Sequence, residues 1–146
     1  MYYSDILNNL ISQKAILCSV PRSQMEMSSG VDEIIYQLCQ KHKSRENLTG
    51  LQNKKNQENY NIDKTLLIRT KNCSPQHKNG GFRRSREEEK NSVDINEKLI
   101  KKINKKNVLL LDDVKTSGMS ISISRKKILN AGANRVICLA LSKAGN

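Results

Sequence analysis

Short apolar segments alternate along the chain with segments of helical character. The apolar segments, which predict β-strands, are residues 15–20, 65–69, 108–111 and 136–141. The segments that predict helices are residues 3–11, 31–39, 97–103 and 117–130. Strands that alternate with helices indicate an α/β fold with a mainly parallel sheet, in which ligands bind at the carboxyl ends of the strands.

Two of the helix boundaries carry local signals. Ser29, followed three residues later by Asp32, resembles a capping box and predicts that a helix begins there. Ala131 and Gly132 follow the last predicted helix. Glycine readily adopts the left-handed conformation that ends many helices, so this pair predicts the end of that helix.

Two polar segments separate the predicted elements. Residues 44–64 are dominated by Asn, Gln and Lys and predict a flexible connection. Residues 70–91 contain Gly80, Gly81 and several arginines, and they predict a flexible loop. Loops of this length inside a compact domain are usually functional or disordered. The 146 residues are expected to form one domain, residues 1–146, with these two segments inside it.

The most informative segment is residues 108–120. An uninterrupted apolar run at 108–111 predicts a strand that is covered on both faces, and it places Asp112 and Asp113 at the carboxyl end of that strand. A turn rich in hydroxyl groups and glycine follows and opens a helix. Unpaired backbone N–H groups and the helix dipole favour a phosphate at such a position, whereas carboxylates accept hydrogen bonds from sugar hydroxyls. The segment therefore predicts a sugar-phosphate site.

This segment resembles the signature of the type I phosphoribosyltransferases, which is four apolar residues, two acidic residues and a Thr-Thr/Ser-Gly-x-Thr/Ser turn. VLLLDDVKTSGMS matches it at nearly every position. The resemblance implies a three-layer α/β/α fold with a mainly parallel sheet. The hood that carries the base in other members is expected to be reduced or absent. An ordinary strand-to-helix turn with incidental aspartates is the structural alternative.

The resemblance also implies roles for individual residues. Asp112 and Asp113 are the expected catalytic carboxylates. They would hold the ribose hydroxyls of 5-phosphoribosyl 1-pyrophosphate, directly or through Mg²⁺, and would be the ligands of that ion. The residues that would wrap the 5′-phosphate of the donor are Lys115, Thr116, Ser117, Gly118, Met119 and Ser120. Lys115 departs from the small or uncharged residue of many members, and its role stays open.

Two further segments extend the resemblance, in particular to ComF-like members of the family. The loop after the first strand binds pyrophosphate in the family, which makes Arg22 and Ser23 the expected contacts in this chain. A mobile loop closes over the substrate in the family, and residues 70–91 occupy that position. Arg69, Gln76 and Arg84 are similar to the Arg…Gln…Arg pattern of ComF-like proteins, with altered spacing, and Arg84 is the expected catalytic arginine. The alternative for the basic residues of this loop is a solvated surface.

The implied reaction transfers a phosphoribosyl group to an unidentified nitrogen acceptor of the nucleobase type and releases pyrophosphate. Mg²⁺ suits such a site because it needs few protein ligands and takes substrate oxygens for the rest. Two other functions stay open. One is a non-catalytic module that senses the donor, and the other is a Mg²⁺-dependent phosphatase or nucleotidase that uses Asp112 and Asp113.

The net charge of +12 is compatible with polyanionic partners, but also with a plain solvated surface, because Lys and Asn are abundant throughout. Nucleic acid is not specifically indicated, since aromatic residues do not alternate with the basic ones. A homodimer stays an open alternative. The apolar runs are all far shorter than the ~18 residues of a membrane span, so no membrane partner is expected and a cytoplasmic location is the expectation.

The four cysteines show neither metal-ligand spacing nor a disulfide framework. Cys18, Cys39 and Cys138 fall in apolar segments and are predicted to be buried reduced thiols. Cys73 falls in a polar loop and is predicted to be an exposed thiol.

Overall fold

The computed structural model describes Asp5 and residues 15–25, 29–41, 48–51, 60–73, 84–115 and 117–143. The strands are β1 (Ile16–Ser19), β2 (Thr49–Leu51), β3 (Tyr60–Thr65), β4 (Leu67–Arg69), β5 (Val93–Ile95), β6 (Asn107–Lys115) and β7 (Arg135–Lys143). The α-helices are α1 (Gly30–Lys41), α2 (Arg86–Ser92), α3 (Ile100–Ile103) and α4 (Met119–Asn130), and a 3-10 helix covers Glu97–Leu99. This part of the chain is a mixed α/β fold, as predicted.

A three-stranded parallel sheet in the order β1-β6-β7 forms the centre of the fold. Ile16 pairs with Val108 on one side of β6, and Val108 pairs with Val136 on the other. The strand predictions at 15–20, 108–111 and 136–141 are confirmed, and these three strands are parallel as predicted. The strand predicted at 65–69 is divided between the end of β3 and β4, and both belong to antiparallel pairs instead of the parallel sheet. β1, β6 and β7 can run in one direction because long connections that contain helices join the end of one strand to the start of the next strand of the sheet.

Helices cover both faces of this sheet. Alternate side chains of a strand point to opposite faces, so β6 contributes Leu109 and Leu111 to one face and Val108 and Leu110 to the other. The first face packs on α1, through Val31 and Ile35 among others, and the second packs on α4 and the α3 segment. The four consecutive apolar residues at 108–111 are each 0% exposed. Residues 108–111 therefore lack the alternation of a half-buried strand because neither face meets water.

The remaining strands form two antiparallel pairs, β2 with β3 and β4 with β5. Backbone hydrogen bonds connect these pairs to β1. Leu48 N donates to Leu17 O at 3.0 Å, and Leu66 N donates to Leu48 O at 3.0 Å. Asn96 N then donates to Leu66 O at 2.8 Å. These bonds join the parallel sheet and the two pairs into one body.

The two predicted polar segments are shorter than expected. Residues 48–51 and 60–64, placed in a flexible connection, include β2 and most of β3, which satisfy their backbone groups by pairing with each other. Residues 86–91, placed in a flexible loop, belong to α2, whose first turn is capped by a 3.0 Å hydrogen bond from Glu88 N to the Ser85 side chain. Residues 74–83 of that predicted loop and the predicted helix at 3–11, apart from Asp5, lie outside the described residues.

The prediction for the cysteines is wrong at two positions. Cys73 is buried, because the segment after β4 folds back against the loop that follows β1. Cys138 is exposed, because β7 is the edge strand of the parallel sheet as described. Cys18 is buried as predicted, and Cys39 is half-buried on α1. None of the helices in the described ranges has the length and apolar character needed to cross a membrane.

The end of α4 confirms the predicted glycine signal. Gly132 has φ of 102°, and its N–H donates to Leu129 O at 3.0 Å. Ala133 N donates to Ile128 O at 3.3 Å, which completes the pair of hydrogen bonds of a Schellman motif. Ala133 also packs against the same core cluster as Ile128. The chain can turn here towards β7 without leaving the last carbonyls of α4 unpaired.

Replacing Gly132 with Ala is expected to lower the free energy of unfolding by about 1–3 kcal/mol, the usual cost of a side chain in this backbone region. The added Cβ would also lie 3.2 Å from Asn104 Oδ1. Gly30→Ala is the matched control, because a Cβ at Gly30 meets nothing within 4 Å. Urea denaturation of both variants checks this; equal stabilities would contradict the assignment of the motif.

Candidate functional site at the carboxyl edge of the parallel sheet

The acidic pair lies where β6 extends past the end of β1. Ser19, the last residue of β1, pairs with Leu111, and Val20 N donates to Leu111 O at 2.9 Å. Asp112 and Asp113 follow directly, so they lie beside the start of the loop that leaves β1. The acidic pair lies just past the end of β1. The prediction that it also follows the end of its own strand is wrong, because β6 continues to Lys115.

The extra length of β6 comes from its pairing with β7. Asp112 pairs with Ala140, and the pairing continues to Lys115 and Lys143. The Ser142 hydroxyl also donates to the Asp113 carbonyl at 3.1 Å. β6 and β7 thus both extend beyond the end of β1, and the acidic pair lies on the extended part of β6.

The two carboxyl groups have different environments. Asp112 is half-buried and Asp113 is exposed. The pKa of Asp112 is raised to about 7, mainly by burial and next by the nearby charge of Asp113. The charge of Glu89 raises it further, with a smaller effect. Asp113 N donates to Asp112 Oδ1 at 3.0 Å, which favours the ionised form but does not outweigh the other effects. Two adjacent carboxylates that repel each other are a pair of groups that a cation or hydroxyl donors would stabilise.

The turn after β6 leads into the amino terminus of α4. Gly118 adopts the left-handed conformation, with φ of 73° and ψ of 9°, and it is the residue that precedes the helix. Met119 N lies 3.3 Å from the Ser117 hydroxyl that accepts its hydrogen bond, and Ser122 N donates to Gly118 O at 3.0 Å. Ser117 is exposed, while Gly118, Met119 and Ser120 are half-buried. Thr116 and the side chain of Lys115 lie outside the described residues.

The loop after β1 is attached to the segment that follows β4. Cys73 N donates to Ser23 O at 2.8 Å, and Met25 N donates to the Asn72 side chain at 2.8 Å. Arg22 is exposed and Ser23 is half-buried. Both predicted pyrophosphate contacts are therefore in a loop whose backbone has defined partners, next to the acidic edge of β6.

Three charged side chains form a buried cluster beneath this loop. Arg69 Nη1 lies 3.0 Å from Glu89 Oε2, and Arg84 Nη1 lies 2.7 Å from the same oxygen. Arg84 Nη1 and Nε have no hydrogen-bond partner in the described structure, so the contact of Arg84 with Glu89 is described as an ion pair. Two guanidinium groups against one carboxylate leave an excess positive charge with little access to water.

Arg84 was predicted to belong to a flexible loop and to act on pyrophosphate. The structure places it at the start of the ordered segment that leads into α2, 7% exposed and paired with Glu89. Its flexible-loop assignment is wrong, because a buried guanidinium is held where its counter-ion lies. Its catalytic role stays a prediction.

A second polar group connects β1 to α1. The Ser19 hydroxyl donates to Asp32 Oδ1, and Ser29 N donates to Asp32 Oδ2 at 2.5 Å. Asp32 N lies 3.3 Å from the Ser29 hydroxyl, which completes the predicted capping box. Burial raises the pKa of Asp32, while the hydrogen bond from Ser19 and the nearby Arg22 charge oppose that rise. Asp32 thus caps α1 and also positions the last residue of β1.

Sequence reasoning missed Glu89, Ser92 and the contact between Ser19 and Asp32. Glu89 stands among three consecutive acidic residues, 87–89, in a segment that has the composition of a solvated surface. The signal that could have found it is helical spacing, since Glu89 and Ser92 are three residues apart and share one face of α2, where both are buried. The Ser19–Asp32 contact joins two elements and leaves no local signal.

No group of three or more His, Cys, Asp or Glu side chains with the spacing of a metal site occurs among the residues that the structure describes. The adjacent carboxyl groups of Asp112 and Asp113 are compatible with an ion that takes most of its ligands from substrate and water, as Mg²⁺ does. Comparison of the chain with models of known protein families and with curated proteins found no match.

Replacing Asp112 with Asn is expected to stabilise the protein above neutral pH. Because the pKa of Asp112 rises from 3.8 to about 7 on folding, its contribution to stability is present below pH 3.8 and is lost as the pH rises towards 7. The neutral Asn avoids that loss. The melting temperature of Asp112→Asn should exceed that of the wild type by an amount that grows between about pH 4 and about pH 7 and then stays constant.

Asp63→Asn is the control for this titration. Asp63 forms an exposed ion pair with Lys98, in which the two side chains are 64% and 74% exposed, and such pairs contribute little to stability. The Asp63 variant should follow the wild type across the same pH range. A melting temperature of Asp112→Asn that runs parallel to the wild type would show that Asp112 is not destabilised by ionisation.

Proposed function

We propose that the protein binds 5-phosphoribosyl 1-pyrophosphate and transfers its phosphoribosyl group to a nitrogen acceptor, releasing pyrophosphate. The observation that carries the proposal is that three features lie together at one edge of the parallel sheet. An acidic pair on the extended part of β6, a left-handed glycine that opens α4 and the loop after β1 lie next to one another. Each of these parts suits a different portion of the donor.

The ribose portion is assigned to the acidic pair. Carboxylates accept two hydrogen bonds from vicinal hydroxyl groups, and the neutral donors of a sugar relieve the repulsion between Asp112 and Asp113. Mg²⁺ fits the same pair and, when bound, neutralises charge on the pyrophosphate. Asp112 and Asp113 would hold it, with substrate oxygens as further ligands.

The 5′-phosphate is assigned to residues 115–120. Gly118 gives the turn its left-handed residue and precedes the N–H groups that open α4, of which that of Met119 donates to the Ser117 hydroxyl. Twelve-residue α4 is long enough for its dipole to favour an anion at that end. Thr116, Ser117 and Ser120 supply hydroxyl donors in this assignment, and Lys115 supplies a positive charge.

The pyrophosphate is assigned to Arg22 and Ser23, with Arg84 below them. The cluster of Arg69, Arg84 and Glu89 carries one more positive than negative charge, and an excess of buried charge is costly. An anion above the loop would supply the missing negative charge. In the reaction the bond from C1 of ribose to the pyrophosphate oxygen breaks, a bond from C1 to nitrogen forms, and the acceptor nitrogen loses its proton.

The finer fold assignment belongs to the same proposal. Helices on both faces of a parallel sheet support a three-layer α/β/α phosphoribosyltransferase-like fold with a reduced or absent hood. The ComF-like subgroup is supported by Arg69 and Arg84, which meet at Glu89 although they are 15 positions apart in the sequence.

The binding part of the proposal is tested by calorimetric titration of the protein with 5-phosphoribosyl 1-pyrophosphate and Mg²⁺. Asp113→Asn is expected to weaken binding by about 1–3 kcal/mol, the usual loss for a hydrogen bond to a charged group. Asp63→Asn, far from the acidic pair in sequence and exposed, should bind as the wild type does. Absence of donor binding by the folded wild type would refute the proposal.

The catalytic part is tested by incubating the protein with the donor, Mg²⁺ and a panel of purine and pyrimidine bases, and by measuring pyrophosphate release. Release that depends on one base identifies the acceptor class. Tight binding of the donor without release in the presence of any base would favour a module that senses the donor. Release of inorganic phosphate from nucleotides instead would favour the phosphatase or nucleotidase alternative.

A further inference from the structure

One buried side chain, that of Arg69, makes two hydrogen bonds to the backbone of the loop after β1, residues 20–25. Arg69 Nε donates to Arg22 O at 2.7 Å, and Arg69 Nη2 donates to Pro21 O at 3.0 Å. These are contacts to the backbone of the loop, so they do not depend on which side chains the loop carries. They place a positive charge directly beneath two consecutive carbonyl groups.

Apart from a 4.0 Å contact from Nη1 to Cys73 Sγ, the other hydrogen bonds of Arg69 go to α2. Nη1 donates to Glu89 Oε2 at 3.0 Å and to the Ser92 hydroxyl at 2.7 Å, and Nη2 donates to Glu89 Oε1 at 3.3 Å. A guanidinium has five N–H donors, and here each has an acceptor. The residue is 5% exposed, so none of these hydrogen bonds competes with bulk water. Arg69 is thus a rigid connector between the loop and α2.

The same connector fixes Arg84. Arg69 and Arg84 contact the same oxygen of Glu89, at 3.0 Å and 2.7 Å. The orientation of that carboxylate, which Arg69 holds through both of its oxygens, therefore determines where the Arg84 guanidinium lies. One side chain controls both groups that are assigned to the pyrophosphate, namely the loop with Arg22 and Ser23 and the arginine below it.

The carbonyl contacts have a direct electrostatic effect on anion binding. A carbonyl oxygen carries partial negative charge and repels a pyrophosphate that approaches it, unless a donor occupies it. The carbonyls of Pro21 and Arg22 are occupied by Arg69, and that of Ser23 by Cys73 N. Three consecutive carbonyls of the loop are thereby bound to the segment of residues 69–73.

We propose that the segment 69–73, chiefly through Arg69, is the positioning element that holds the loop 20–25 in its pyrophosphate-binding shape. This inference rests on the proposed function. Arg69 touches no part of the substrate in this assignment; it acts through the loop carbonyls and through Glu89. A lysine cannot replace it, because an ammonium group has three donors on one atom and cannot reach both carbonyls and both oxygens of Glu89 at once.

The test is the variant Arg69→Lys, titrated separately with inorganic pyrophosphate and with ribose 5-phosphate in the presence of Mg²⁺. The affinity for pyrophosphate is expected to fall about tenfold, as for the loss of one or two hydrogen bonds that shape the site. The affinity for ribose 5-phosphate, which is assigned to the acidic pair and residues 115–120, is expected to stay unchanged. A general loss of stability would lower the affinity for both ligands, so a lower affinity for pyrophosphate alone supports the inference.

Ser92→Ala is the matched control. It removes one acceptor of Arg69 in the buried cluster but leaves both contacts to the loop carbonyls. It is expected to lower the melting temperature and to leave the affinity for pyrophosphate unchanged. Equal loss of pyrophosphate affinity in Ser92→Ala and Arg69→Lys would overturn the inference, because the effect would then follow stability alone.

If Arg69→Lys does not fold, Asn72→Ala replaces it, because Asn72 is exposed and holds the same loop through Met25 N. The same selective loss of pyrophosphate affinity is expected. The inference is overturned if a wild type that binds both ligands keeps its pyrophosphate affinity in these variants, or if both affinities fall together. A folded wild type that binds neither ligand overturns the proposed function itself, which separates the two failures.

Discussion

The rest of the fold depends on the burial of β6 on both of its faces. Val108, Leu109, Leu110 and Leu111 have no exposed surface, because β6 lies between two other strands and helices cover both of its faces. β1 and β7 supply the neighbours, while α1 and α4 supply the covers. After Leu111, β6 carries polar residues only where this enclosure ends, which is just past the end of β1. The position of Asp112 and Asp113 thus follows from the packing of the core.

The electrostatic properties of the candidate site follow from its position at the edge of the buried part of β6. Asp112 is close enough to the apolar interior for burial to raise its pKa, whereas Asp113 is exposed. A few residues away, the loop after β1 lies over a cluster with excess positive charge. Carboxylates beside a buried cation-rich cluster form a site with one part suited to hydroxyl groups or a metal ion and another part suited to an anion. A phosphorylated sugar with a pyrophosphate has all of these groups.

Local sequence patterns were sufficient to predict elements whose own residues indicate burial or a turn. The uninterrupted apolar runs predicted β1, β6 and β7, and the glycine after residue 131 predicted the end of α4. They were insufficient for β2 and β3, which lie in a segment of polar composition, because antiparallel pairing satisfies backbone groups whatever the side chains are. For α2 the local signal was misleading, since its charged residues look solvated although Glu89 is buried.

Residues that are neighbours in the chain were enough to predict β1, β6, β7, α1 and α4, the acidic pair after an apolar strand and the turn that opens α4. Contacts between distant segments, in contrast, extend β6 to Lys115, bury Cys73, leave Cys138 exposed and bring Arg69 to the carbonyl groups of the loop after β1. Those outcomes depend on partners far away in the chain, 47 positions away for the hydrogen bond from Arg69 to Arg22. A buried charge must find its counter-ion and its acceptors wherever the fold brings them, and no pattern of spacing along the chain records that choice.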